Sequence, residues 1–285
     1  MSAMHRQRME ANAPQPGRKD LMRDLAARPV RDIVVIGGGA TGLGVAVDAA
    51  ARGLSVALVE AEDFSKGTSS RATKLVHGGV RYLAQGNIGL VREALRERAI
   101  LMRNAPHLVQ PLPFVLPIYG SKGQWFEKWF YGGGLMVYDL LAGKYRQGRT
   151  EFLGADAALE AVTGLQGRGL AGAVRYWDGQ FDDARLAVAL ARTAIACGAT
   201  AVNHGAAVSL VHESDRVRGV LIEDRENGQR QVLQSRCVIN ATGVWVDAIR
   251  RMDRTAGQDL VAPSQGVHVV LDRSFLPGET AIMVP

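Results

Sequence analysis

Cysteine is scarce: Cys197 and Cys237 are the only two in 285 residues, far apart and in no CxxC pair. That argues against a disulfide framework and a zinc ribbon, leaves room for one bridge at most, and makes a reducing cytoplasm the expected compartment. No metal centre is expected. Long apolar runs are missing as well. Residues 1–30 mix Arg, Pro and polar side chains, without the apolar core of roughly 7–15 residues that a secretory leader needs. The most apolar later stretch, Phe130–Gly143, is shorter than the about 20 residues of a membrane-spanning helix. Neither charge sign dominates: 34 Lys and Arg stand against 28 Asp and Glu, for a net charge of +6. No Lys/Arg run is interleaved with stacking aromatics, so nucleic acid is not an expected partner. The basic surplus fits a solvated surface, a phosphate-bearing substrate or membrane lipid. What remains, 47% hydrophobic and 22% charged, is the composition of a globular protein long enough for one or two domains.

Along the chain, Lys19–Ala27 can form a short helix through Leu21, Met22 and Leu25, or else belongs to a mobile arm. Arg31–Ile36 (RDIVVI) has the unbroken β-branched character of a strand covered on both faces. GGGATGLG follows, then an Ala-rich helix over Val45–Arg52 and a second apolar strand, Leu54–Glu60, ending in a carboxylate. This βαβ order predicts an α/β, Rossmann-like doubly wound sheet. Asn87–Asn104 is predicted helical, with Ile88, Val91, Leu95 and Met102 on one face and Arg and Glu opposite. Pro106 ends it and Pro111–Pro117 is extended. Trp125–Leu141 reads as a helix interrupted at Gly132–Gly134; its Trp125, Phe126, Trp129 and Phe130 fit a cap-domain core or an interfacial membrane belt. Asp182 and Asp183 open another helix through Leu186, Leu190 and Thr193. Thr200–Val211, Val217–Asp224 and Gln229–Ile239 then read as strands, with an Asn227-Gly228 turn. No internal repeat or low-complexity tract is present.

The chemistry starts at Gly37-x-Gly39-x-x-Gly42, between a buried-type strand and a helix. Gly37 permits the tight turn, Gly39 lets backbone approach a pyrophosphate, and Gly42 lets helix and strand pack closely. The helix N-terminus offers free N–H groups and a positive dipole end to phosphates. Glu60, about 18 positions beyond Gly42, can accept from adenosine ribose hydroxyls and would repel a 2′-phosphate, which disfavours NADP. The motif alone does not separate FAD from NAD. Cys237–Gly243 (CVINATG), a strand running into Ala241, Thr242 and Gly243, matches the strand that passes the cofactor after an inserted β-meander in Rossmann-type flavoproteins, and favours FAD.

Gly67–Leu83, GTSSRATKLVHGGVRYL, resembles the signature of the FAD-dependent glycerol-3-phosphate dehydrogenases of the aerobic, respiratory type. The resemblance continues through VREALRERAILMRNAP, PLPFVLP, GLMVYDLLAG, DDARL and NATGVW, covering nearly everything from Arg31 onward. It implies FAD as cofactor, with Ser69 and Ser70 along the diphosphate. Lys74, His77, Gly78 and Gly79 would pass close to the isoalloxazine, and Arg81 and Tyr82 would face the substrate. A guanidinium suits a phosphate dianion and a phenol can hydrogen-bond substrate oxygens; Arg81 in a surface ion pair, Tyr82 in the core and His77 as a structural histidine are the plainer alternatives. The implied reaction is oxidation of sn-glycerol 3-phosphate to dihydroxyacetone phosphate, with hydride passing from C2 to flavin N5. Electrons then go to membrane quinone, which would place the protein peripherally on the inner face of the cell membrane. Arg81, Tyr82 and His77 are the candidate catalytic positions, although the base itself is not identified among them.

The family's chains continue well past the position of Pro285, with further basic residues at the substrate pocket and a Gly-Gly-Lys segment that closes the flavin site. The sequence is therefore expected to be the N-terminal portion, binding FAD weakly and turning over poorly, with unpaired edge strands as an aggregation hazard. Its expected organisation is an arm over 1–30, FAD-binding parts over 31–110 and 181–250, and a substrate or cap segment over 111–180. The truncated start of a substrate domain follows over 251–285, with SQGVHVVL (Ser264–Leu271) opening its sheet.

Overall fold

The computed structural model describes residues 16–28, 30–79, 82–83, 85–120, 125–254 and 257–284, and only the backbone of 125–132. The chain divides into two compact units, one formed by the residues up to Ala72 together with Asp183–Gly266, the other by Thr73–Asp182 with Val267 onward. Residues 73–110, expected with the FAD-binding part, thus pack in the second unit.

The first unit is built on a six-stranded sheet in the order β7-β2-β1-β10-β9-β8. Its strands are β1 (Arg31–Ile36), β2 (Val56–Val59), β7 (Thr200–Val202), β8 (Gly205–Glu213), β9 (Arg216–Asp224) and β10 (Arg230–Asn240). The pairs β2/β7, β1/β2 and β1/β10 are parallel, whereas β8, β9 and β10 form an antiparallel meander. This is the Rossmann-like sheet with an inserted β-meander. Period-two alternation sends Val35 and Leu58 to one face and Val34, Ile36, Ala57 and Val59 to the other. Both faces are covered, which is why RDIVVI carries no polar alternation after Asp32. One cover is α2 (Ala40–Ala51) and α6 (Asp183–Ala196), meeting through Leu43, Ala46, Ala50, Ala187, Ala191 and Ala194. The other includes α1 (Arg18–Ala27) and α7 (Val246–Asp253), which bury Leu25 and Ile249. Each fully buried Leu or Val stabilises the fold by about 1.5–3 kcal/mol.

The proposed N-terminal arm is therefore helical and docked from Arg18 to Ala27. Arg31, buried at the start of β1, donates to the Asp24 carboxylate (3.0 Å), the Asp24 carbonyl (2.8 Å) and Thr200 Oγ1 (3.2 Å). That ties α1 to the sheet.

The second unit has a five-stranded sheet ordered β11-β4-β6-β3, with β5 also on β6. Its strands are β3 (Leu75–Val76), β4 (Val109–Tyr119), β5 (Glu151–Leu153), β6 (Leu170–Phe181) and β11 (Ala281–Ile282). β4 and β6 run antiparallel from Val109↔Phe181 to Tyr119↔Leu170. Pro111, Pro113 and Pro117 share the parity of Val115, whose carbonyl accepts from Met283 on the β11 side. Their missing N–H groups therefore face away from β6, and the long ladder is not interrupted. Among the described residues, the helices of this unit include α3 (Ile88–Asn104), α4 (Trp125–Ala142) and α5 (Ala155–Ala161). Val91 and Leu95 of α3 pack with Tyr138 and Ala142 of α4.

Several expectations need correction. α4 runs unbroken through Gly132–Gly134; glycine costs a helix only about 1 kcal/mol each, and the burial of Leu135, Tyr138 and Ala142 outweighs it. Ile88 is half exposed, and the buried face of α3 contains Arg98 beside Val91 and Leu95. Thr200–Val211 is two strands, broken at His204, whose φ is 51°. Ser264–Leu271 forms no strand, and Val267 and Val270 are almost fully exposed. The aromatic side chains of Trp125, Phe126, Trp129 and Phe130 lie outside the described residues. Cys197 and Cys237 are both free thiols. No described helix is long and apolar enough to cross a membrane.

Candidate functional site

β1 ends at Ile36 and the chain turns at Gly37, whose φ of 110° lies where side chains are disfavoured. A Cβ there would stand 2.6 Å from the carbonyl oxygen of Ala241, and one on Gly38 would stand 2.7 Å from the Glu60 side chain. Gly42, in the first turn of α2, would place a Cβ 1.9 Å from the Gly37 carbonyl oxygen. Gly39 differs. It is the N-cap of α2 with no side-chain cap, and a Cβ on it would meet only Ser69, at 3.1 Å. Ala40 and Thr41, which begin the helix, are exposed. The positive end of α2 therefore opens onto a surface cradle floored by backbone.

Glu60, at the end of β2, braces this loop. Its carboxylate accepts from Gly38 N–H at 2.6 Å and from Glu62 N–H at 2.8 Å, one bond on each oxygen. Each oxygen retains capacity for a further donor such as a ribose hydroxyl. Ser69 sits in a short 3-10 turn, Thr68–Ser70, and its Oγ accepts from Ala40 N–H at 3.0 Å. It thus meets the helix end where the diphosphate was expected, and Ser70 follows it in the same turn. Ala241, Thr242 and Gly243 leave β10 against Gly37: Ala241 N–H donates to the Ile36 carbonyl at 2.8 Å, and Gly243 has a φ of 59°. Asn240, missed in the sequence, accepts from Thr242 Oγ1 (2.7 Å) and N–H (3.3 Å) and donates to the Val246 carbonyl (2.9 Å). An Asn two residues before Thr242 is an Asx-turn signal that could have found it. Trp245 was missed too; it lies over Gly67, where a Cβ would come within 2.9 Å of its ring.

In the second unit, Lys74 is exposed and adopts a φ of 62°, in the left-handed region that most residues with a side chain disfavour. It borders a cavity of about 370 Å³ with Leu108, Gln110, Gln180, Phe181 and Asp182. β3 follows, and then the turn His77-Gly78-Gly79. His77 is exposed, Gly78 and Gly79 are buried, and Gly79 has a φ of 76°. Tyr82 is 42% exposed and lies against Gly79. Arg81 lies outside the described residues.

Beneath this turn is a buried group that the sequence did not announce. Arg98 Nη1 meets Asp178 Oδ1 at 2.7 Å, and the Tyr138 hydroxyl donates to Asp178 Oδ2 at 3.2 Å. Gly78 N–H is shared between the Tyr138 oxygen (2.7 Å) and Asp178 Oδ1 (3.2 Å). Burial pushes the Asp178 carboxyl above its ordinary range, opposed by the Arg98 charge, and pushes the Tyr138 phenol up. The one readable signal was Arg98 falling four and three places along the apolar row 91, 95, 98.

The first unit's residues fit a dinucleotide: an exposed helix start without an N-cap side chain, a turn whose Gly37 and Gly42 leave no room for a Cβ, and a carboxylate at the next strand end.

Comparison with known proteins agrees. The family model "FAD dependent oxidoreductase" matches residues 32–284. Over 287 aligned residues, the chain is 42% identical to mitochondrial glycerol-3-phosphate dehydrogenase of Mus musculus, covering 96% of this chain and 39% of the relative. It is 44% identical to glycerol-3-phosphate dehydrogenase of Mycobacterium leprae, covering 89% of this chain and 43% of the relative. The solved glycerol-3-phosphate dehydrogenase of Bacillus halodurans, complexed with FAD, superposes with a TM-score of 0.64 at 33% identity, over 83% of this chain and 39% of that one. L-proline dehydrogenase of P. horikoshii, at 20% identity, shares the fold with a TM-score of 0.61 over 78% of this chain and 55% of that one. The chain thus spans about 39–43% of the length of these curated relatives. By the match across 32–284 and the geometry of its glycine turn, the chain belongs to the FAD dependent oxidoreductase family.

Proposed function

We propose that this chain supplies the FAD-binding part of an enzyme that oxidises sn-glycerol 3-phosphate to dihydroxyacetone phosphate and passes the electrons to quinone. One observation carries the reading: the open N-terminus of α2, floored by Gly37, Gly39 and Gly42 and braced by Glu60, is built to receive a pyrophosphate. The identity with proteins named glycerol-3-phosphate dehydrogenase supports the substrate.

When bound, FAD supplies the acceptor for the hydride leaving C2 of the substrate. The chain's own residues bind and orient. Gly37, Gly39 and Gly42 admit the diphosphate to the helix end, with Ser69 and Ser70 along it. Glu60 accepts from the ribose, and Ala241, Thr242 and Gly243 line the other side of the turn. Lys74, Gly78 and Gly79 would lie by the flavin ring, the glycines through their backbone. Arg81 would pair with the substrate phosphate and Tyr82 would hydrogen-bond substrate oxygens, while His77, exposed beside Gly78, is a further candidate catalytic position with the base itself left unassigned. Contact with quinone places the protein on the cytoplasmic face of the cell membrane, where its basic surplus favours anionic lipid.

The test is to purify the chain, titrate it with FAD, and add glycerol 3-phosphate anaerobically. A flavin band that bleaches supports cofactor and substrate together. A band that glycerol 3-phosphate leaves intact, while another substrate bleaches it, defeats the substrate assignment. Hydrogen peroxide release in air would indicate an oxidase of the same fold instead.

A further inference from the structure

β3 is a very short strand. Its ladder with β6 holds Leu75↔Gln180 and Val76↔Gly179 and then stops. The approach is close: a Cβ on Gly179 would stand 2.8 Å from the Val76 carbonyl oxygen. Immediately beyond the last pair, the chain turns at His77-Gly78-Gly79, where a buried N–H without a ladder partner would cost about 1–3 kcal/mol. Gly78 N–H finds two side-chain acceptors instead, the Tyr138 hydroxyl oxygen at 2.7 Å and Asp178 Oδ1 at 3.2 Å. These arrive from different elements, Tyr138 from α4 and Asp178 from β6, and Arg98 of α3 closes the group on Asp178. Asp178 accepts from Gly78, Arg98 and Tyr138, so all three contacts are donors toward its carboxylate. No side chain fits at Gly78, because a Cβ would lie 2.2 Å from the Tyr138 oxygen and 2.4 Å from Leu95. The backbone of the turn is thereby held from below by polar contacts whose geometry is directional, while Gly79 and Tyr82 continue it.

We propose that Tyr138 and Asp178, with Arg98 holding Asp178, are positioning residues for the flavin-facing turn His77–Gly79. They touch no substrate. They act by fixing where the Gly78 backbone stands, and hence the chain leading to Tyr82. This role rests on the reading that the turn faces FAD.

The test compares Tyr138→Phe, which keeps the ring and removes the hydroxyl, with Val115→Ala, a core truncation elsewhere in the same unit. Two readouts are taken on the full chain: hydrogen exchange of the Gly78 amide without FAD, and the affinity and visible spectrum of added FAD. Tyr138→Phe is expected to speed Gly78 exchange and weaken FAD binding, each about tenfold, and to shift the flavin band. Val115→Ala is expected to lower the melting temperature while leaving the band unmoved. Asp178→Asn, which loses charge but keeps an acceptor oxygen, is expected to behave as Tyr138→Phe does. Unchanged Gly78 exchange and FAD binding in Tyr138→Phe, or effects equal to those of Val115→Ala, would overturn the proposal. Wild-type chain that takes up no FAD even at high added FAD, while its Gly78 amide stays protected, would overturn the positioning role in this chain. That protection distinguishes this outcome from a failure of Tyr138 alone.

Discussion

The α-carbon of Gly42 approaches the carbonyl oxygen of Gly37 so closely that a methyl group on Gly42 would stand 1.9 Å from it. The contact closes the turn between β1 and α2, and it sets two effects against each other. Alanine favours a helix over glycine by about 1 kcal/mol, but overpacking against backbone costs about 1–3 kcal/mol, and a carbonyl cannot rotate away as a side chain can.

Gly42→Ala is therefore expected to lose up to about 2 kcal/mol of stability in urea unfolding. FAD affinity should fall with it, since the opening of the helix end moves. Gly44, on the opposite side of the helix with nothing within 4 Å of its Cβ position, should tolerate Ala and gain a few tenths of a kcal/mol or more.

Glu60 holds the glycine loop through Gly38 and its own turn through Glu62. Glu60→Gln keeps one acceptor oxygen and loses the charge, so a destabilisation of about 1–2 kcal/mol is expected by thermal unfolding. Glu60→Ala should cost more, and both should weaken FAD more than they weaken the fold.

Arg31 is the buried anchor of α1. Arg31→Met fills similar volume but leaves Asp24 and Thr200 without their donor, at an expected cost of about 1.5–3 kcal/mol. The partial exposure of Asp24 keeps the figure below that of a fully buried broken pair. Hydrogen exchange should show α1 losing protection before the sheet does.

Asp247 fastens the chain after α7. Leu260 N–H lowers its carboxyl below the ordinary range, outweighing the opposing effect of burial, and the Val261 N–H and Arg250 lower it further. A folded value below the unfolded one means stability fully present above about pH 4. It is lost as pH falls through the lower, folded value. Urea midpoints followed from pH 5 downward should show this acid-sensitive loss in the parent chain, and Asp247→Asn should flatten it.

Much of this architecture was legible along the chain because its causes are local. RDIVVI is an unbroken apolar run after Asp32, Gly37, Gly39 and Gly42 announce a turn by their lack of side chains, and Glu60 ends the next apolar run. The helix over Ile88–Asn104 was legible from its period, and Asn87 caps it by accepting from Leu90 N–H. The resemblance of Gly67–Leu83 supplied the expectations of FAD and of a glycerol 3-phosphate substrate, which no periodicity could.

Other features depended on residues far apart. Helix α4 continued through three glycines because Leu135 and Tyr138 are buried by partners that its own sequence does not contain. Val267–Leu271 looks like a strand, yet a strand needs a neighbour's ladder, and none pairs with it among the described residues. Gly78 shows the division most directly. The sequence by itself determined that position 78 bears no side chain. Only the tertiary structure brought Tyr138 and Asp178, 60 and 100 residues away, onto its N–H, because a buried donor past the end of a ladder must find an acceptor wherever the packing supplies one.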